Sequence, residues 1–442
     1  MPVVTITKIG VNGEGIGFEK STPILLYGAI PGDVAEYRVT ERTGKMVRGK
    51  IVRLLEKSPH RKEPSCAHFG KCDGCPLMIA DYKAQLDWKK EEVLSNLRKV
   101  PGVDLSLVKD CIPNEKTLGY RNLVKLPVTE HKGKLVNALY ERGTNRLVPV
   151  LQCPVHEPEL ERVRKAVLEV LNRYHVRAFD RKTKQGLRTL YLRGMNGKFQ
   201  LALIGGKEPY DRDCVKELMD IPGMNSIYQN INAARETREL FGKQSIHLAG
   251  TKALSFKVGK THLCLSLPSF YQMNTAQAEK LYEIAVGMIP ENTEHLVEAY
   301  CGIGAMSFLA KDRAKRIDAI EFAGSSIRDA KEALKRNDAL NIRFTEGDAA
   351  KEYAKIAKKD PADCLLVDPP RTGLNEEMIE TIHKAKPETI VYVSCNPYTL
   401  AKNITDLKEY QVKKVVPADI FSQTPHVETI VLMVKRQTTQ RL

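Results

Sequence analysis

A chain of 442 residues, 42% hydrophobic and 28% charged, has a globular composition and length enough for two or three domains. No apolar run is long enough to span a bilayer, and Met1-Pro2-Val3-Val4-Thr5 shows no leader pattern, so neither a membrane protein nor an exported one is expected and the location is read as cytoplasmic. The net charge of +15 favours a polyanionic partner, because each Lys or Arg that meets a phosphate releases condensed counterions; the plainer account is a surface that only solubilises.

Residues 1–57 read as short strands broken by glycine and proline turns: Val3 to Thr7, Gly13 to Phe18, Ile24 to Tyr27, Val34 to Val39 and Gly49 to Leu54. Short strands without a helical period predict a small, OB-like β-barrel. Arg38, Arg42, Lys45, Arg48, Lys50 and Arg53 spread positive charge along its later strands, as in small basic barrels that hold RNA; the plainer account is a barrel that only props up its neighbour.

Residues 58–255 mix strand patterns (Thr189 to Arg193, Phe199 to Ile204) with charged helical ones (Pro76 to Lys99, Glu159 to Tyr174), which predicts an α+β domain. Ten cysteines without a leader argue against a disulfide scaffold and for metal ligands or nucleophiles. Cys66, Cys72 and Cys75 form C-x5-C-x2-C, and Cys153 follows far along the chain. Four thiolates from two segments suit zinc or an iron–sulfur cluster, and spacing alone leaves both open, with no metal as the third possibility.

From residue 256 to 442 the rhythm becomes strand, helix, strand, helix: His295 to Cys301, Arg316 to Phe322, Ser325 to Asn337, Ile342 to Gly347, Cys364 to Val367, Thr389 to Ser394, Thr429 to Val434. That pattern predicts a parallel, doubly wound, Rossmann-like sheet. The first of these strands runs into Tyr300-Cys301-Gly302-Ile303-Gly304, where glycines let a ligand approach the backbone. Glu321 ends the next strand, 19 residues after Gly302, where a carboxylate reaches ribose hydroxyls, and Asp348 follows the third, within reach of an adenine. Ser307 stands where a dinucleotide fingerprint would place its third glycine, and no P-loop lysine is evident, so S-adenosylmethionine fits better than a nicotinamide or a triphosphate.

Asp368-Pro369-Pro370-Arg371 and Ser394-Cys395-Asn396-Pro397 follow adjacent strand patterns at the carboxyl edge, where ligands bind, and Glu428 in His426-Val427-Glu428 precedes the last strand. These residue types suit methylation of carbon-5 of uracil. A thiolate adding to carbon-6 makes carbon-5 nucleophilic, and a base must afterwards remove the carbon-5 proton so that the thiolate can leave. Cys395 is then the nucleophile, Glu428 the base, and Asp368 steers the uracil or the cofactor amine. A cysteine at a strand end is, taken alone, more often packing, and Cys111, Cys214, Cys264, Cys301 and Cys364 are read so.

At these residues the chain resembles the RNA uracil-5 (m5U) methyltransferase family, in its three-domain bacterial 23S ribosomal-RNA branch, over essentially its whole length. The resemblance implies an RNA-binding TRAM barrel, a central iron–sulfur domain and a methyltransferase domain dependent on S-adenosylmethionine. It implies Cys395 as nucleophile, Glu428 as base, cofactor contacts at Gln272, Tyr300, Glu321 and Asp368, and Phe270 packed against a flipped-out base. It further implies a [4Fe–4S] cluster on Cys66, Cys72, Cys75 and Cys153, more structural or RNA-positioning than redox. Glu298, where an aspartate is usual, and Ala305, where a polar residue is common, depart from the family pattern.

The expected partner is 23S ribosomal RNA, with a transfer-RNA T-loop uridine as the other target, acted on by a monomer. Two other classes compete. An amino-group methyltransferase would use Asp368-Pro369-Pro370 but need no thiol, and an RNA-binding assembly factor would need none of Cys395, Glu428 and Glu321 together.

Overall fold

The computed structural model describes residues 1–141, 144–237 and 239–437. The first five strands, Val3–Ile9, Gly15–Glu19, Thr22–Leu26, Val34–Arg42 and Val47–Glu56, close into a barrel because the first pairs with both the second and the fourth. Alternation turns Val4, Ile6, Ile24, Leu26, Ala35, Tyr37 and Val47 inward. The six basic residues named above are all exposed; Arg53 is paired with Glu36 at 2.7 Å and Arg48 with Glu41 at 3.6 Å.

A seven-stranded mixed sheet occupies the middle of the chain, from Leu123–His131 to Gln244–Gly250. Helices Pro158–Arg173 and Arg212–Met219 fill its core with Leu160, Val163, Val167, Leu171, Cys214 and Leu218. The hairpin Ala253–Val258 and Thr261–Ser266 spans residues 255 and 256 and packs into the next core through Leu254, Phe256, Leu263 and Leu265.

The C-terminal sheet has seven strands in the order Ile342–Glu346, Ala314–Glu321, Thr293–Ala299, Cys364–Val367, Thr389–Ser394, Glu428–Lys435, Tyr410–Ala418. The sequence pattern predicts a parallel sheet throughout, but Glu428–Lys435 runs antiparallel to both its neighbours. Its connection, residues 419–427, is too short for the dozen or more residues that a parallel crossover needs, so the chain folds straight back. Tyr410–Ala418 has no counterpart among the predicted strands, because Lys413 and Lys414 blur its alternation at a bulge.

The helix expected over Pro76 to Lys99 begins at Tyr82, where Asp81 caps it by accepting from the Ala84 N–H at 2.8 Å, and ends at Leu97. Val93 and Leu97 enter the C-terminal core, and Val108 and Ile112 bridge the edge strand Tyr410–Ala418. Residues 82–112, distant in sequence, therefore cover one side of the C-terminal sheet. Among the described residues, no helix is long and apolar enough to cross a membrane.

Candidate active site

The turn after Thr389–Ser394 is fixed locally. Asn396 caps the next helix, Pro397–Asp406, by accepting from the Tyr398 N–H at 3.2 Å, and Pro397 occupies its first turn, where a missing N–H costs nothing. Cys395 is thereby held between strand and helix. The same Asn396 donates to the Arg371 carbonyl at 2.9 Å, and the Thr399 hydroxyl donates to it at 3.2 Å. The Asp368-to-Arg371 loop is thus tied to the cysteine turn.

Sheet register brings the remaining groups in. Val367 pairs with Tyr392, and Ser394 with Thr429, so one further residue along each strand sets Asp368 beside the cysteine turn and Cys395 opposite Glu428. Burial and then the Asp368 charge push Glu428 up to about 8, and burial pushes Asp368 up to about 7. Burial, followed by the charges of Glu428 and Asp368, pushes the Cys395 thiol up to about 11, with the Arg371 guanidinium opposing. Three acidic groups in so little water cannot all ionise near neutral pH, and a cation bound beside them would lower all three.

A cavity of about 330 Å³ opens on Cys395. Barrel residues Ile9 to Val11 form part of its wall, with Trp88, Arg371, Tyr398 and His426 on other sides. His426 is held down at about 4 by burial and by the charges of Arg371 and Lys89, so it is neutral at pH 7.

On the other side of the sheet's carboxyl edge, the loop after Thr293–Ala299 is shaped by two glycines with different duties. Gly302, at φ +55°, has open space where a Cβ would sit, whereas a Cβ on Gly304, at φ +79°, would lie 2.5 Å from Phe344. Glu321 accepts from the Gly302 and Ala323 N–H groups at 3.1 and 2.8 Å. Burial, followed by the Asp348 charge, pushes the hydroxyl of Tyr300, itself at φ +66°, up to about 12. Asp348 also caps helix Ala349–Lys359 by accepting from the Lys351 N–H at 3.1 Å. Gln272 is buried and Phe270 is 61% exposed, on a loop tied down where the Asn274 side chain donates to the Ile420 carbonyl at 3.0 Å.

Glu298 lies under this loop, fully buried, and accepts from the Ser307 hydroxyl, while its Oε1 has no protein partner. Burial, with the charges of Asp368 and Glu321, pushes it up to about 8 despite the Ser307 bond. Ser307, which reads in the sequence as a missing glycine, is thus the partner of the longer Glu298 side chain.

Cys66, Cys75 and Cys153 pack around one small core of Met78, Tyr120 and Val155; burial raises the Cys72 and Cys75 thiols, and the charges of Cys153 and Cys66 raise both further, with that of Cys72 adding at Cys75. The Gly74 N–H donates to Cys72 Sγ at 3.2 Å. Among the described residues no group of His, Cys, Asp or Glu is closed tightly enough to hold a single metal ion. His156, absent from the sequence reading, hydrogen-bonds Cys153 and, at 2.6 Å, Glu161. The five cysteines expected to be packing are all buried.

Arg371, His426, Trp88 and Tyr398 have no role in the sequence reading. The first two sit inside the quoted motifs, Arg371 three residues after Asp368 and His426 two before Glu428, so their place beside the site is a usable signal. Trp88 and Tyr398 could be found only once helix Tyr82–Leu97 is known to face the cysteine turn.

The profile of the tRNA (uracil-5-)-methyltransferase family matches residues 81–436. An uncharacterized RNA methyltransferase of Clostridium tetani is 33% identical over 97% of this chain and 95% of its own, and one of Bacillus cereus is 32% identical over 98% and 96%. Among solved structures, the tRNA (uracil-54, C5)-methyltransferase of Pyrococcus abyssi in complex with S-adenosyl-L-homocysteine superposes with a TM-score of 0.77, covering 98% of this chain and 100% of that one, at 24% identity, a likeness of fold. The chain belongs to the tRNA (uracil-5-)-methyltransferase family and is an RNA methyltransferase.

Proposed function

We propose that this protein methylates carbon-5 of a uridine in 23S ribosomal RNA through a covalent bond between Cys395 and the ring, and the observation that carries this is the convergence of Cys395, Glu428 and Asp368 at one sheet edge. The open space at Gly302 and the carboxylate of Glu321 beside it suit S-adenosylmethionine, with Gln272, Tyr300, Asp348 and Asp368 around it. When bound, that molecule supplies an electrophilic methyl on a positively charged sulfur.

Cys395 adds as thiolate to carbon-6, and the ring electrons move onto the carbon-4 oxygen as an enolate. Carbon-5 of that enolate is then the nucleophile that would take the methyl, the donor sulfur keeping the bonding pair. Glu428, ionised, takes the carbon-5 proton. The electrons of that C–H bond restore the 5,6 double bond and expel the Cys395 thiolate. Arg371 favours the thiolate by charge, and the exposed Phe270 ring can pack on an extruded base.

Cys66, Cys75 and Cys153 share one core and Cys72 feels the charges of Cys66 and Cys153, and four thiols from two segments suit a [4Fe–4S] cluster on Cys66, Cys72, Cys75 and Cys153, in a structural or RNA-positioning role. The parts are residues 1–57 as a TRAM-like RNA-binding barrel, 58–255 as the cysteine-bearing region and 256–442 as the catalytic region, the last of which extends beyond the described residues. A monomer at work in the cytoplasm completes the reading.

The competing target is a transfer-RNA T-loop uridine. What speaks for it is the description of the matching family, tRNA (uracil-5-)-methyltransferase. Mapping 5-methyluridine in both RNAs from cells with and without the gene decides between them. With the target known, RNA carrying 5-fluorouridine at that site should form a denaturation-resistant adduct, since fluorine cannot leave as a proton does. A confirmed substrate that forms none would refute the covalent route.

A further inference from the structure

The segment that delivers Glu428, residues 419–427, is held almost entirely by side chains from another part of the chain. Asp419, fully buried, meets the equally buried Lys89 ammonium at 2.5 Å, and Lys89 also donates to the Phe421 carbonyl at 3.1 Å. The second Asp419 oxygen accepts from the Tyr82 hydroxyl at 2.7 Å and from the Ser422 hydroxyl at 2.6 Å. One turn back on the same helix, Gln85 makes a reciprocal pair with Gln423: its amide donates to Gln423 Oε1, and its carbonyl accepts from the Gln423 N–H, both at 3.0 Å. The Gln423 carbonyl accepts from the Leu77 N–H at 3.0 Å.

Gln423 stands at φ +70°, in the left-handed region that non-glycine residues avoid. Such a conformation is strained and persists only where its surroundings over-determine it. A solvated loop would not need this many bonds, and a segment that only joined two strands could relax. Five residues beyond Gln423 stands Glu428, whose environment Lys89 also reaches by charge.

We propose that Gln85 and Lys89 are positioning residues for proton removal: helix Tyr82–Leu97 grips Asp419 and Gln423 so that Glu428 meets the carbon-5 proton. This rests on the reading of Glu428 as the base. A loosened segment displaces Glu428 most, whereas the Cys395 turn that starts ring addition is held separately through the Arg371 carbonyl, so the last step slows most. Methylated RNA then stays bonded to the enzyme.

The test follows single turnover on RNA with ordinary uridine, scoring 5-methyluridine release and the denaturation-resistant adduct. The charge-balanced variant K89M/D419N avoids an unpaired buried ion, and Q85M removes no charge at all, so it serves if the double variant melts early. Each should slow release by about tenfold or more, leave the KM for RNA within about threefold, and accumulate adduct, because small displacements of a catalytic group cost rate more than binding. Glu428→Gln is the reference and should accumulate adduct most. If E428Q traps and the clamp variants do not, or if they release product at the normal rate, the positioning role is wrong. If E428Q itself leaves no adduct, the base assignment falls and this proposal with it.

Discussion

Glu428 shows at a single residue how a site sets function against stability. Below about 4.5 its carboxyl is protonated in folded and unfolded chains alike, and its burial carries no ionisation penalty. Between there and about 8 the unfolded chain releases the proton while the folded protein keeps it, so this residue's contribution to stability falls as pH rises through that window. Glutamine cannot ionise. Glu428→Gln should therefore match the parent protein near pH 5 and exceed it by about 2–4 kcal/mol near pH 8. Denaturant melts at the two pH values check this. Equal stability at both would mean that the carboxylate is solvated in the folded protein, contrary to its burial.

The turn between strand Thr293–Ala299 and helix Ala305–Leu309 separates two kinds of glycine at the level of one element. A methyl at Gly304 collides with the Phe344 ring, which packs on Phe308, so Gly304→Ala should cost about 2 kcal/mol or more of stability. A methyl at Gly302 meets no protein atom and carries only the strain of its positive φ, about 1 kcal/mol. It projects instead into the space proposed for the methyl donor. Gly302→Ala should thus melt nearly normally yet bind S-adenosylhomocysteine at least tenfold more weakly, roughly 1.4 kcal/mol, by calorimetry. Unweakened binding would place the ligand elsewhere. Sequence spacing shows both glycines but not this division of labour, because Phe344 comes from a strand 40 residues on. The cysteine turn was legible for the opposite reason: Ser394-Cys395-Asn396-Pro397 carries its own cap and its own helix start. The grip on residues 419–427 was not legible, since Lys89 and Asp419 are 330 residues apart and each alone reads as an ordinary surface charge.

Across the whole molecule, the cysteine-bearing segment is wedged between barrel and catalytic sheet. Arg61 donates to the buried Asp33 of the barrel at 2.7 and 2.8 Å, while Leu77, from the turn after Cys75, bonds Gln423. Phe421 packs on the same small core as Cys66, Cys75 and Cys153. That core is small, and the cluster proposed above would tie residues 66–75 to residue 153 as zinc does in small domains. Protein purified without oxygen should then contain about four iron and four sulfide per chain and be brown. Cys153→Ser, which cuts the link between the two segments, should lower the iron content and also expose the 66–80 stretch to protease, a readout independent of methylation. A colourless protein with one zinc would replace the cluster with a single ion. Full iron content in the serine variant would leave Cys153 as a packing residue beside His156 and return the tie to the hydrophobic contacts of Met78, Tyr120 and Val155.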